Sequence, residues 1–367
     1  MNNRPRDTLT KRSSKYIYIE AIRIIACLFV ILNHTGDLGF SMFTTRIPGS
    51  RSFWFYMLPS IFCKAAVPLF LTISGALLLD KEETLSVIWK KRILRTLIVL
   101  FLFSLLYYFS DDEVTIQSFN LLSYLRAITS GAVTSSYWYL YSYLGLLVCL
   151  PFLRVLVKNL DNRHFYYWFI LHFVFNSMLP VITYFTDYKL NSNFSIQWLM
   201  ENIVIYPCLG YFIHNRLDHS ICKKVLIPLW ILNVGTIVLS CYCTYHYGVN
   251  TVGSFSQQAS QAFHSTFVMV NCATLYITFK LFFECVSTPR WLNHIITTIG
   301  GCTFGTYLLH EWLLHRYPPF RDFWWSFPWD YNIPVFLATI IVCFIVLLIG
   351  TAVTLILKRI PLIKKLF

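Results

Sequence analysis

Residues 18–37, YIEAIRIIACLFVILNHTGD, decide how the rest of the chain is interpreted. Their apolar run is long enough to cross a bilayer as a helix, yet it carries Glu20 and Arg23 near one end and His34 near the other. A helix turns about 100° per residue, so Arg23 and His34 fall on nearly the same face, with Glu20 one turn before Arg23. Ionisable groups within a span usually face a bundle interior or a wet cavity. This stripe therefore predicts a functional site.

The composition indicates a polytopic α-helical membrane protein. Of the 367 residues, 56% are apolar, 18% are aromatic and only 13% are charged, and apolar runs recur along the whole length. The net charge of +13 is compatible with nucleic-acid binding, but basic flanks facing anionic lipid explain it better. Most of the 11 cysteines fall within apolar segments without any CxxC pair. They are expected to be small hydrophobes in packed helices, and no metal site is expected.

Ten spans can be drawn, with both termini in the cytoplasm. They are 17–35, 60–79, 94–110, 137–154, 165–185, 197–213, 225–245, 263–283, 295–314 and 333–357. Lys and Arg residues support this topology, because 22 of the 30 fall on the inner side and 6 on the outer side, with Arg23 and Lys64 in the membrane. Residues 1–367 then form a single integral-membrane domain with basic cytoplasmic tails at 1–15 and 358–367.

The ends of some spans are ambiguous. The basic N-terminus resembles a signal peptide, but no small-residue cleavage site follows it, so a retained first span is predicted. Residues 53–63, FWFYMLPSIFC, either lie in the interface or extend the second span. The longest outer segments are 36–59, 111–136 (acidic at Asp111, Asp112 and Glu113), 246–262 and the aromatic, proline-rich 315–332.

The first-helix stripe has a chemical interpretation and a simpler one. A histidine can act as a general base near neutral pH, or carry an acyl group transiently as a nucleophile. Asp37, one turn beyond His34, is a weak candidate to orient the ring. In the simpler interpretation Arg23 snorkels toward the inner face and His34 caps the outer end. The combination of the charged residues at a helical repeat favours a site.

Arg92 and Arg95 lie one turn apart at the inner end of the third span. Guanidinium groups suit phosphate because each offers a planar fork of donors. The spacing alone is more typical of an ordinary positive-inside anchor.

Three further motifs have a structural explanation as well as a functional one. VPLFLTISG, residues 67–75, reads as a kinked helix in which Ser74 and Gly75 let another helix come close. The aromatic block at 137–141, including Trp138 and Tyr139, is typical of an interfacial belt but can also stack on a sugar ring. GGCTFGTYLLH, residues 300–310, contains a GxxxG packing signal at Gly301 and Gly305. It then places Tyr307 one turn before His310, toward the outer half.

In this order and spacing, the motifs resemble the membrane-bound acyltransferase 3 family. The matching pieces are Ile19-Glu20 with Arg23-x10-His34, VPLFLTISG, the RxxR of Arg92 and Arg95, the WYLY block and GTYLLH. The chain looks most like short stand-alone O-acetyltransferases such as the enterobacterial common antigen O-acetyltransferase. It departs from the family in having Glu20 for a frequent Asp, and Trp138-Tyr139-Leu140 for the usual WFL.

The resemblance implies about ten helices, a cytoplasmic acyl-CoA donor (acetyl-CoA foremost) and transfer to a hydroxyl of a cell-envelope glycan or lipid-linked saccharide at the inner or plasma membrane. The family's functional arginines and histidine correspond to Arg23, His34, Arg92 and Arg95. We expect catalysis at Glu20, Arg23 and His34, donor phosphates at Arg92 and Arg95, and substrate contacts at Trp138, Tyr139, Tyr307 and His310. The bilayer, the acyl-CoA, the glycan and separate glycan-synthesis proteins are the expected partners.

The main rival is a transporter or flippase for an envelope polysaccharide intermediate, in which the stripe forms a substrate or proton pathway. The lack of an inverted sequence repeat counts mildly against it. A non-enzymatic sensor would not need an RxxR pair at the cytoplasmic face. Consumption of acetyl-CoA in the presence of a glycan would separate the enzyme from both alternatives.

Overall fold

The computed structural model describes residues 7–110, 119–253, 255 and 261–366, with side chains from Ile17 onward. Asp111, Asp112, Glu113 and the first part of the predicted N-terminal tail lie outside the described residues. The α-helices are α1 (Asp7–Asn33), α2 (Arg51–Phe62), α3 (Ala66–Leu78), α4 (Leu85–Val87), α5 (Leu94–Tyr108), α6 (Leu121–Ser130), α7 (Trp138–Asn159), α8 (Asn162–His172), α9 (Leu179–Thr186), α10 (Gln197–Met200), α11 (Asn202–Tyr211), α12 (His219–Tyr247), α13 (Val268–Cys285), α14 (Arg290–Gly300), α15 (Thr303–Glu311), α16 (Pro318–Asp330) and α17 (Val335–Leu357).

The prediction of an all-α membrane protein is confirmed, since the described ranges contain helices and no strand. Six helical stretches are long and apolar enough to cross a membrane: Arg51–Leu78, Ser135–Asn159, Asn162–Thr186, His219–Val252, Val268–Cys285 and Val335–Leu357. The other predicted spans are also helical, but two are interrupted, between α10 and α11 and between α14 and α15. The count of ten spans and the position of the termini stay predictions.

The helical stretch that contains the second predicted span begins earlier than residue 60, at Arg51. Ser50 caps α2, because its side chain accepts a hydrogen bond from the Phe53 amide at 3.2 Å. The helical path then continues through Pro59 and a short 3-10 turn into α3. Residues 53–63 are therefore helical and continuous with this span, and the point at which the span enters the membrane stays a prediction.

Helix α1 lies at the centre of the bundle and packs against α3, α13, α14, α15 and α17. Its apolar residues Ile19, Ile22 and Ala26 belong to the main buried core. The charged stripe on the same helix is consequently surrounded by protein on several sides. This position fits a site inside the bundle better than one facing lipid.

Close helix packing depends on glycines. A Cβ added at Gly75 would overlap the carbonyl oxygen of Pro207 on α11, and one at Gly210 would overlap the Thr72 carbonyl on α3. The predicted close approach at Gly75 is therefore confirmed. In the GxxxG motif, the predicted packing residue Gly301 lies at the break between α14 and α15. The tight contact with Glu20 of α1 is made by the preceding residue, Gly300.

Candidate functional site

A cavity of about 370 Å³ opens between α1, α3, α5, α7 and the α14–α15 break. We name it the basic cavity, since the cationic side chains in its lining are Arg23, Lys81, Lys91, Arg92 and Arg95. The rest of its lining includes Ser74, Tyr139, Tyr143, Gly300, Gly301, Thr303, Phe304 and Tyr307. The structure thus brings together the three predicted arginines and two of the predicted substrate residues, Tyr139 and Tyr307.

Glu20 and Arg23 form the predicted pair on α1. Arg23 Nη1 lies 2.7 Å from Glu20 Oε1, and the Arg23 side chain is 29% exposed. The other carboxylate oxygen, Glu20 Oε2, is buried against α14 without a hydrogen-bond partner in the described structure. Glu20 does not itself line the cavity among the residues described, so it acts on the cavity by holding Arg23.

Arg92 lies in a π-helical turn, Ile88–Ile93, between α4 and α5. Its Nε and Nη2 atoms donate to the two oxygens of Glu83 at 2.8 and 2.5 Å, and Arg154 Nη2 donates to Glu83 Oε2 at 2.9 Å. The hydrogen bond from Arg92 lowers the pKa of Glu83 to about 2. Sequence reasoning missed Glu83 and Arg154, because no local spacing connects either of them to the RxxR motif.

Tyr143 is a further residue of the basic cavity that the sequence analysis overlooked. It interacts electrostatically with Arg95, Arg92 and Arg23. Tyr143 follows Tyr139 by four residues on α7, so the helical repeat places both on one face. That repeat was the available signal, but the aromatic block was read only as far as residue 141.

The two predicted histidines meet at the other end of the stripe. His34 directly follows α1, and its ring centroid lies 5.0 Å from that of His310, with the planes at 68°. His310 is fully buried, and its Nδ1 lies 2.6 Å from the Tyr307 carbonyl oxygen. Because a carbonyl only accepts, Nδ1 carries the proton, and Nε2 is left as an acceptor without a described partner.

Glu311 completes this histidine cluster. Its carboxylate interacts electrostatically with His34 and His310. It accepts hydrogen bonds from Ser135 Oγ at 2.8 Å and the Ser136 amide at 2.9 Å. Asp37, the predicted candidate to orient the His34 ring, is exposed, and the carboxylate that interacts electrostatically with His34 is that of Glu311. In the part of the chain described, no group of three or more His, Cys, Asp or Glu could hold a metal ion.

Tyr307 connects the basic cavity to the histidine cluster. It lines the cavity, and its ring stacks on His310 with centroids 5.7 Å apart. Its hydroxyl donates to the Ser136 carbonyl at 2.5 Å. Neither His34 nor His310 is among the described lining residues, and Tyr307 is a lining residue that contacts His310.

Trp138 takes a different position from the other predicted substrate residues. It begins α7 and is 47% exposed, outside the described lining of the basic cavity. Its neighbour Tyr139 is buried and points into the cavity. The aromatic block is therefore divided between the bundle interior and its surface, as consecutive positions of a helix must be.

The model of the acyltransferase 3 family, described as an acyltransferase domain, matches residues 16–353. A search of curated proteins and a search of solved structures each found no match. The matched region contains all the residues of the basic cavity and of the histidine cluster.

Proposed function

This chain belongs to the acyltransferase 3 family, and from that premise we propose an O-acyltransferase that uses cytoplasmic acyl-CoA. Membership of the family and the apolar helices make the chain a multi-pass membrane acyltransferase. The acetyl group, the hydroxyl of an envelope glycan or lipid-linked saccharide as acceptor, and the inner or plasma membrane as location are our proposal. The likeness to the enterobacterial common antigen O-acetyltransferase stays a prediction.

The observation that carries the proposal is that Tyr307 joins a cavity lined by arginines and lysines to the pair of His310 and His34. Arginines and lysines converge on the basic cavity, and acyl-CoA is rich in phosphate. A volume of about 370 Å³ lies in the range of roughly 300–1,000 Å³ usual for small-molecule sites. We assign Arg92 and Arg95 to the phosphates and the region past Arg23 to the acyl-pantetheine arm.

His34 is the proposed catalytic base. In direct transfer, its imidazole takes the proton of the acceptor hydroxyl while the hydroxyl oxygen attacks the thioester carbonyl. The C–S bond breaks, and the CoA thiolate leaves and recovers that proton. In the covalent alternative, His34 attacks the carbonyl first, the C–S bond breaks and CoA leaves as the thiolate. The hydroxyl oxygen then attacks the acyl group, the C–N bond to the imidazole breaks, and the hydroxyl proton passes through the freed imidazole to the CoA thiolate. Both routes place positive charge on His34, which the Glu311 carboxylate would stabilise.

The two ends of the site lie at different depths. The residues from Arg23 to His34 rise roughly 16 Å along a helix at 1.5 Å per residue. A donor bound at the inner end can therefore react with an acceptor in the outer half, and neither substrate has to be transported across the membrane. Tyr307 lines the cavity and stacks on His310, so we propose that its side chain turns aside when the thioester approaches His34.

The test is thiol release from acetyl-CoA by the purified protein in lipid nanodiscs, with a polysaccharide extract as acceptor. We expect His34→Ala to lower the rate by about 100- to 10,000-fold, the usual contribution of a general base. His294→Ala is the matched control, since His294 is an exposed histidine on α14. Full activity of folded His34→Ala would refute the role of His34. A wild-type protein that binds glycan without consuming acetyl-CoA would favour the transporter or flippase.

A further inference from the structure

Glu83 supports Arg92 from outside the basic cavity. It lies in the loop between α3 and α4 and is not among the described lining residues, whereas Arg92 is. Both of its oxygens are engaged by the Arg92 fork, at 2.8 and 2.5 Å. Such bidentate pairs fix the plane of a guanidinium as well as its position.

The Glu83 carboxylate is itself anchored. Arg154 is buried, and its Nη2 donates to Glu83 Oε2 at 2.9 Å. Arg154 Nε donates to the Leu78 carbonyl at the end of α3, at 3.0 Å. The loop carboxylate is thereby tied to both α3 and α7, and through it the π-helical turn that carries Arg92 is held in place.

The pair leaves part of Arg92 available. Glu83 takes the Nε hydrogen and a hydrogen on Nη2, so the hydrogens on Nη1 remain for another acceptor. Arg95 differs, because it is exposed and has no ion pair among the residues described. The two arginines of the motif are therefore unequal: one is held in place before any ligand arrives and the other is not.

We propose that Glu83 is a positioning residue that presets Arg92 to receive a phosphate of the acyl-CoA donor. This inference rests on the proposed function, in which the basic cavity binds that donor. Without Glu83, the Arg92 side chain has to be ordered when the donor binds. Ordering one long side chain weakens binding by about 2- to 12-fold.

The experiment is a double-mutant cycle on acetyl-CoA binding, measured by calorimetry on the full chain in nanodiscs. We expect Glu83→Gln to raise the Kd by about 2- to 12-fold, and the KM likewise, with kcat unchanged. In an Arg92→Ala background the same substitution should change nothing. Glu82→Gln is the matched control, because the neighbouring Glu82 is 86% exposed and pairs with Lys158.

Several results would overturn the assignment. A lower Kd for Glu83→Gln would mean that the carboxylate competes with the phosphate, and an equal loss in both backgrounds would mean a purely structural role. If Glu83→Gln does not fold, Glu83→Asp keeps the charge beside Arg154, and it should weaken binding in the same direction. A wild-type protein that does not bind acetyl-CoA refutes the donor, whereas wild-type binding that Glu83→Gln leaves intact refutes only the role of Glu83.

Discussion

Replacing Glu311 by Gln tests whether the carboxylate of the histidine cluster acts on His34. The substitution keeps the shape of the side chain and removes its charge. Glu311 now accepts from Ser135 Oγ at 2.8 Å and from the Ser136 amide at 2.9 Å. The Gln oxygen can accept from the Ser136 amide, and the Gln amide nitrogen can donate to the Ser135 hydroxyl, which accepts as well as donates.

Two magnitudes follow from these contacts. Both serine contacts can persist as hydrogen bonds between neutral groups, which contribute about 0.5–1.5 kcal/mol each, so the fold loses little stability. An interaction with a charged partner contributes about 1.5–3 kcal/mol, and its loss in the transition state slows the reaction by about 10- to 150-fold. We therefore expect kcat to fall by one to two orders of magnitude, with only a modest decrease in the unfolding temperature.

The assay is thiol release at saturating acetyl-CoA and acceptor, with thermal unfolding measured on the same preparation. Glu201→Gln is the control, because Glu201 is exposed and lies between α10 and α11. The reasoning would fail if Glu311→Gln kept the wild-type kcat, or if its loss of activity matched a loss of folded protein.

Two further predictions concern stability. Gly75→Ala should lower the unfolding temperature, because the new methyl overlaps the Pro207 carbonyl and overpacking costs about 1–3 kcal/mol. Gly235→Ala is the control and should leave the unfolding temperature unchanged, because the space around its Cβ is open. Equal unfolding temperatures for the two variants would contradict the packing argument. The hydrogen bond from Arg92 holds the pKa of Glu83 at about 2, below the ordinary value of 4.5. The ionised Glu83 therefore stabilises the folded protein fully at a pH above 4.5, and this stabilisation is lost as the pH falls toward 2. Wild-type protein should therefore lose more thermal stability over this range than Glu83→Gln, and parallel curves would rule out the effect.

Local spacing was sufficient to predict part of the site. Glu20 and Arg23 interact across one helical turn, and the cavity receives Arg92 and Arg95 from adjacent turns, as the i,i+3 relation requires. Gly75 was also predictable, since a small residue in an apolar span has few uses other than close packing. In each case a single helix carries all the information.

The remaining contacts depend on how distant segments meet. Glu83 reaches Arg154 across 71 residues, and Glu311 reaches the Ser136 amide across 175. No periodicity in one sequence encodes such distances. The number of spans was difficult for a related reason, since the helix breaks at Glu201 and Gly301 fall within apolar stretches that hydropathy reads as continuous.

The short turn at 135–137 couples the two parts of the proposed site. The Ser136 carbonyl accepts a hydrogen bond from the hydroxyl of Tyr307, which lines the basic cavity. The Ser136 amide donates to Glu311, which interacts electrostatically with both histidines. Turning the Tyr307 side chain aside would break the first of these bonds, and a movement of the turn would disturb the second. In the proposed mechanism, access of the donor and the electrostatic environment of His34 are thus linked through one residue, Ser136, whose carbonyl and amide make the two bonds. A thioester that displaces Tyr307 would therefore also alter the electrostatic environment of the base that is to act on it.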